Sequence, residues 1–179
     1  ADYPYSDTGM PPMDASHAYP DVFVSTMAMA AATQTLKFSC AVYVLPVRQP
    51  VEVAKSAAAL ALFSGDRFAL GAGLGWMREE YEVYGVEWAA RGKRADEYMD
   101  ILRKLWGGGW VEHHGEVYDF DALCINPAAP QGVPIYWGGA SKPALRRAAQ
   151  QCQGWIGAGN TVAQTPALLE QLKAYRAEA

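Results

Sequence analysis

The ten residues Leu36-Lys37-Phe38-Ser39-Cys40-Ala41-Val42-Tyr43-Val44-Leu45 decide the fold class. Leu36, Phe38, Cys40, Val42 and Val44 alternate along one face, and the other face turns apolar at Ala41, Tyr43 and Leu45. A strand apolar on both faces belongs inside a parallel sheet covered by helices, because an antiparallel sheet commonly leaves one face to water. Pro46 ends the run, having no N–H to give to a ladder. The flanking segments read as the helices such a sheet requires. On one side Asp21 caps a helix in which Phe23, Val24, Met27, Ala28 and Ala31 form an apolar stripe. On the other, Pro50 and Glu52 open a helix that ends around Ser64, with Gly65 as a left-handed cap.

The alternation continues along the chain. Arg67 to Leu70 reads as a short buried strand running into the turn Gly71-Ala72-Gly73-Leu74-Gly75-Trp76. Met77 to Trp106 reads as helix, broken near Gly85, with Tyr98, Ile101, Leu102 and Leu105 on one face of its second half. Residues 107–133 read as an insertion, a hairpin over Trp110 to Phe120 turning at His114-Gly115, then a loop from Asn126 to Gly132. Pro134 to Trp137 is a strand and Gly138-Gly139-Ala140-Ser141 a turn. The next helix puts Leu145, Ala148, Ala149 and Cys152 on one face and closes at Gly154. Trp155 to Gly157 is a further strand, and Thr165-Pro166 opens a last helix with Leu168, Leu169 and Leu172 inward. Residues 1–20, rich in proline and without periodicity, read as an extended arm.

Strand and helix in alternation mean an α/β protein with a mainly parallel sheet, here as one domain over residues 1–179. Four strands read as parallel, with a fifth near Val117 to Ile125. An open doubly wound sheet and an eight-stranded barrel both fit that order. A complete barrel takes ~250 residues, so the chain, beginning in a loop and ending in a helix, reads as part of one.

Composition excludes several functions. Half of the sequence (51%) is hydrophobic and 19% is charged, enough for a packed core, and the formal charge of -4 offers no basic face for nucleic acid. Apolar stretches such as Ala57 to Phe63 fall far short of the ~20 residues that cross a bilayer, and the start shows no signal-peptide pattern. Cys40, Cys124 and Cys152 form no C-x-x-C pair and read as buried thiols of a cytoplasmic protein. No cluster with metal-ligand spacing appears.

Two glycine-rich stretches carry the candidate chemistry. Gly71, Gly73 and Gly75 stand at a strand's end, where the absence of a Cβ lets a ligand approach the backbone. The spacing is not the dinucleotide fingerprint G-x-G-x-x-G, and a tight turn with no ligand accounts for it equally. Gly138, Gly139, Ala140 and Ser141 lie between a strand and a helix, so free N–H groups and the positive end of the helix dipole suit a phosphate. Ser141 is also a good N-cap whatever binds there. Trp76, just past a strand's C-terminal end, is the candidate for the wall of a substrate pocket. The adjacent His113 and His114 point to opposite faces of a strand and read as surface residues of the hairpin.

Five blocks of the sequence resemble the bacterial luciferase-like flavin and deazaflavin oxidoreductases. They are Val44 to Val86, Arg91 to Trp106 (RGKRADEYMDILRKLW), His114 to Phe120 (HGEVYDF), Asn126 to Ser141 (NPAAPQGVPIYWGGAS) and Ala144 to Ile156. The arm YPYSDTGMPPM (Tyr3 to Met13) with Pro20-Asp21 resembles the branch that uses coenzyme F420. The resemblance implies a TIM (β/α)8 barrel of which the chain covers part, its first two strands preceding Ala1 and its closing strand following Ala179. It implies a non-prolyl cis peptide at Ala41-Val42, preceded by Cys40, supporting an isoalloxazine-like ring. It also implies cofactor contacts at Gly71, Gly73 and Gly75 and a phosphate turn at Gly138, Gly139, Ala140 and Ser141. The activity implied is hydride transfer between F420 and a small organic substrate by a homodimer. FMN-dependent monooxygenation is the alternative, and a flavin-binding protein without turnover is a further one. The family's polar residues from the second strand have no counterpart here, so no residue is assigned as general acid or base.

Overall fold

A computed structural model describes residues 3, 8–10, 14, 16–157 and 159–179. Much of the expected arm (1–20), with most of the YPYSDTGMPPM stretch, lies outside the described residues.

Local chemistry sets most helix ends. Helix α1 (Val22–Ala31) begins at Asp21, whose carboxylate accepts the N–H groups of Phe23 and Val24. Helix α2 (Pro50–Ser64) starts on a proline, whose missing N–H is no loss in a first turn, and stops at Gly65 with φ 65°. The break at Gly85 (φ 64°) separates α3 (Arg78–Val83) from α4 (Arg91–Trp106). Ser141 caps α5 (Lys142–Gln151), and α6 (Thr165–Ala177) follows the last strand. No described helix is long and apolar enough to cross a membrane.

The main sheet is parallel. Its strands are β1 (Phe38–Ser39), β2 (Tyr43–Val44), β3 (Phe68–Gly73), β6 (Ile135–Gly138) and β7 (Gly154–Ile156). Both β1 and β2 pair with β3, which pairs with β6, which pairs with β7. A separate antiparallel pair joins β4 (Val111–His114) to β5 (Asp119–Leu123). Ladder partners share a face, so the register sorts the sheet into two surfaces. Leu70, Ala72, Ile135 and Trp137 face the helices in one core with Ala57 of α2 and Leu102 of α4. The opposite surface carries Gly71, Gly73, Tyr136, Gly138, Gly154 and Ile156. Trp106 of α4 is buried and donates its indole N–H to the Ala54 carbonyl of α2 at 2.9 Å.

Several expectations are corrected. The run Leu36 to Leu45 is two short strands, because Cys40, Ala41 and Val42 leave the ladder. Four residue steps from Ser39 to Tyr43 face three from Ala69 to Ala72, the signature of a bulge. Strand β3 extends through Gly73, placing Gly71 and Gly73 within the ladder and leaving the turn to Leu74 and Gly75 (φ 71°). Strand β6 likewise includes Gly138, and Gly154 begins β7 instead of closing a helix. The segment near Val117 to Ile125 adds no parallel strand, because β5 turns back on β4. In α1 the inward face runs through Phe23, Thr26 and Ala30, and Val24 is 70% exposed. The Phe23 ring sets that rotation by packing edge-on against Tyr43 at 5.4 Å and against Phe68 at 6.0 Å. In α6, Leu168 and Leu172 are half-buried and Leu169 is exposed, since that helix packs chiefly on α5. Cys124 is exposed, while Cys40 is half-buried and Cys152 buried.

Gly65 offers a clean test of the α2 terminus, because a Cβ there would meet nothing within 4 Å. Gly65→Ala is expected to lower unfolding stability by about 1 kcal/mol through left-handed backbone strain alone, measured as a shift of the urea midpoint with the slope unchanged.

Candidate functional site

The parallel register brings the carboxyl ends of β2, β3, β6 and β7 into a row at Val44, Gly73, Gly138 and Ile156. Ligands of open and closed α/β sheets bind at such ends. The Cys40–Val42 bulge lies against this row on the surface away from the helices, and the Ala41-Val42 peptide is cis.

The glycines explain how the bulge fits. A Cβ on Gly71 would overlap the Cys40 carbonyl, and it would also reach Ile156 Cδ1 at 2.9 Å. A Cβ on Gly73 would meet Val42 Cγ2 at 2.6 Å, and one on Gly138 would meet Val42 Cγ1 at 2.6 Å. Gly75 stands in the same relation to Val44, at 3.0 Å. Val42 thus plugs a socket made by two strands, and the glycines admit part of the chain itself. Ala41, at the apex, stays exposed while Cys40 and Val42 are half-buried. A small exposed residue on a rigidly seated bulge offers a flat face to a planar ring.

The setting of Cys40 favours the thiol over the thiolate. Burial pushes its thiol pKa up, and the protonated sulfur donates to the Gly71 carbonyl at 3.1 Å.

The turn after β6 has a defined donor set. Gly139 takes φ 110°, its N–H donates to the Ile156 carbonyl at 3.2 Å, and its carbonyl accepts the Trp155 indole N–H at 2.7 Å. Ser141 Oγ accepts the Ala144 N–H at 3.4 Å, and Pro143 has no N–H. The N–H groups of Ala140, Ser141 and Lys142, with the Ser141 hydroxyl, remain for an anion. This set fits a phosphate. In the turn after β3, the Leu74 carbonyl accepts the hydroxyl of the fully buried Tyr81, whose ring meets Trp88 edge-on at 4.9 Å. Trp76 is half-buried in that turn, with its ring edge-on to Tyr3 at 5.2 Å.

The structure therefore gathers Gly71, Gly73 and Gly138 around the bulge of Cys40, Ala41 and Val42, with Gly75 against the neighbouring Val44 and Gly139, Ala140 and Ser141 continuing from Gly138. Sequence reading missed the Trp155 and Tyr81 hydrogen bonds. Trp155 lies 16 residues from its acceptor and Tyr81 seven, separations that carry no local pattern.

The histidines lie elsewhere. His114 is exposed, and its hydrogen bond to Asp119 raises its pKa. His113, expected at the surface, is 8% exposed, because β4 turns that side toward α4. Its Nε2 meets Glu97 Oε1 at 3.0 Å, and its ring stacks on Phe120. Glu97 also accepts the N–H groups of Val117 (3.1 Å) and Tyr118 (2.8 Å), and a Cβ on Gly115 would strike its carboxylate. Burial pushes the Glu97 pKa up, but the Tyr118 N–H, the His113 ring and the Val117 N–H outweigh it and hold the carboxyl below its ordinary range. Among the described residues no group of three His, Cys, Asp or Glu could hold a metal ion.

A family model described as luciferase-like monooxygenase matches residues 6–179. The chain belongs to this family. An uncharacterized protein of Mycobacterium tuberculosis strain H37Rv is 40% identical over 177 residues, 99% of this chain and 61% of that protein. The FMNH(2)-dependent dimethylsulfone monooxygenase of Pseudomonas fluorescens is 31% identical over 151 residues, 82% of this chain and 41% of that enzyme. Among solved structures, the coenzyme F420 dependent tetrahydromethanopterin reductase of Methanopyrus kandleri superposes with a TM-score of 0.77 at 18% identity, over 88% of this chain and 50% of that one. Monooxygenase RslO1 from Streptomyces bottropensis gives 0.77 at 24%, over 89% and 50%. These two likenesses bear on the fold alone. The chain spans between two fifths and about three fifths of the lengths of these relatives.

Two predictions follow from the luciferase-like geometry. Gly73→Ala is expected to destabilise by about 1–3 kcal/mol through overpacking, and Val42→Ala in the same chain to recover at least about 1 kcal/mol of that loss as a coupling energy. Urea unfolding of the two single variants and the double variant measures it. The second concerns pH. A carboxyl with a lowered folded pKa contributes stability that is present above its unfolded pKa and lost as pH falls through the folded value. Wild-type unfolding midpoints should therefore fall steeply below about pH 4, with a shallower acid-side slope in Glu97→Gln.

Proposed function

We propose that this chain is the cofactor-holding part of an oxidoreductase that transfers a hydride between coenzyme F420 and a small organic substrate. The carrying observation is the exposed Ala41 apex, seated by Val42 in the Gly73–Gly138 socket beside the anion-fitting turn at Gly138 to Ser141. A planar ring over Ala41 and a phosphate at that turn would use both features in one ligand.

The bound deazaflavin would supply a ring carbon that gives or takes a hydride. The chain's own residues bind, orient and shield. The N–H groups of Ala140, Ser141 and Lys142 hold the phosphate, the bulge fixes the plane of the ring, and Trp76 walls the substrate side against water. No described residue is assigned as acid or base. The fold assigned to the whole is a TIM barrel of which residues 1–179 form one partial unit, acting as a cytoplasmic homodimer on a small molecule without nucleic acid or membrane.

A second reading is monooxygenation with reduced FMN in the same site. It is favoured by the FMNH(2)-dependent relative at 31% identity.

Titration of the intact protein with F420 and with FMN, each oxidised and reduced and followed by ring absorbance and fluorescence, tests both. Tight F420 binding without FMN binding is the expected result. Preference for reduced FMN replaces the first reading by the second. Binding of neither overturns the cofactor assignments of Ala41, Gly73 and Gly138.

A further inference from the structure

The two turns that border the candidate site share a device. Strand β3 ends at Gly73, and the next carbonyl, of Leu74, is held by the Tyr81 hydroxyl. Strand β6 ends at Gly138, and the next carbonyl, of Gly139, is held by the Trp155 indole N–H. In each case a packed aromatic residue spends its polar hydrogen on the first carbonyl past a strand end. Trp155 has only a donor to offer, and Tyr81 keeps its proton because burial pushes its pKa up to about 12.

The consequence for a ligand is directional. A peptide presents its carbonyl and its N–H on opposite sides, so a carbonyl pinned into the protein aims the N–H of the next residue outward. At Gly139 the residue is fixed twice, by Trp155 on its carbonyl and by Ile156 on its N–H, in a left-handed conformation that suits glycine. The Ala140 N–H shares the Gly139 peptide plane and takes its aim from it, and Ser141 and Lys142 follow along the chain. The Trp155 ring lies against Gly157, where a Cβ would crowd its six-membered edge at 3.3 Å. At Leu74 the same pinning fixes the approach to Gly75, which packs on Val44 beside the bulge, and to Trp76.

We propose that Trp155 and Tyr81 are positioning residues of the cofactor site, Trp155 for the phosphate-facing turn and Tyr81 for the ring-facing turn. The proposal rests on the reading given under Proposed function. It makes the two residues separable, because only one of the two turns meets the phosphate.

The test is a matrix of affinities on the intact protein. Wild type, Trp155→Phe and Tyr81→Phe are titrated with FMN and riboflavin, and with F420 and its phosphate-free deazaflavin. Loosening of the turn that faces the phosphate predicts about a 10-fold weaker affinity of Trp155→Phe for the phosphorylated ligand, with affinity for the phosphate-free ligand unchanged. Tyr81→Phe is expected to weaken both forms by the same factor. A general loss of folding would give both variants the same pattern, and far-UV circular dichroism with thermal midpoints records it directly. Should Trp155→Phe not fold, benzothienylalanine at position 155 keeps the ring and replaces the N–H by sulfur, with the same expectation. Equal weakening of both ligand forms in Trp155→Phe, or none, overturns the role of Trp155; unchanged affinities in Tyr81→Phe overturn that of Tyr81. If wild type binds none of the four ligands, the cofactor reading itself falls and this proposal with it. If wild type binds and the patterns differ from these, only the positioning roles fall.

Discussion

The isopropyl group of Val42 fills the space that side chains at positions 73 and 138 would need. Much of the site's geometry depends on that contact. It ties a loop-like bulge to two central strands, holds β2 in register with β3 after β1 has left it, and leaves Ala41 as the outermost point. Because Val42 reaches both glycines, the bulge cannot shift toward one strand without losing the other. The Cys40 carbonyl over Gly71 adds a backbone contact that no side-chain change could relieve. Close packing of this kind makes interiors sensitive to a single methyl group, and here that sensitivity falls on a segment whose apex is exposed.

Fold class was legible because the decisive signals were local. Two-sided apolarity over Phe38 to Leu45, the stripe at Tyr98, Ile101, Leu102 and Leu105, and the Pro50 and Gly65 helix ends each lie within a few residues of their cause. Errors gathered where the cause was distant. The extra residue between Ser39 and Tyr43 cannot be seen without β3 beside it, so the strand read as continuous. Glycines 71 and 73 look like a turn in isolation, and only their partners Cys40 and Val42, some thirty residues earlier, make them strand residues. The rotation of α1 depended on where the Phe23 ring found Tyr43 and Phe68.

Candidate-site positions were legible through glycine, for a different reason from the one that spacing suggests. A residue without a side chain marks a place where something comes close, and the sequence does not say whether that is a ligand or the chain. At Gly71, Gly73 and Gly138 it is the chain. At Gly139 it is a backbone conformation, and the donors beyond it are what a ligand would meet. His113 shows the converse. Adjacent histidines on a hairpin look solvated, yet Glu97, sixteen residues away on α4, draws one of them inside.

That clasp changes which part of the chain is vulnerable. A polar hairpin rich in charged residues would ordinarily be cut at its tip, where loops are most open to proteases. Here the tip is the anchored end, since Glu97 takes the amides of Val117 and Tyr118 and Lys93 pairs with Glu116. The base is the open end: Gly108 and Gly109 take positive φ, and Trp110 beside them is 76% exposed. An enzyme that cleaves after aromatic residues would thus enter at the hinge and leave the hairpin docked on α4, a two-piece molecule still joined by its core.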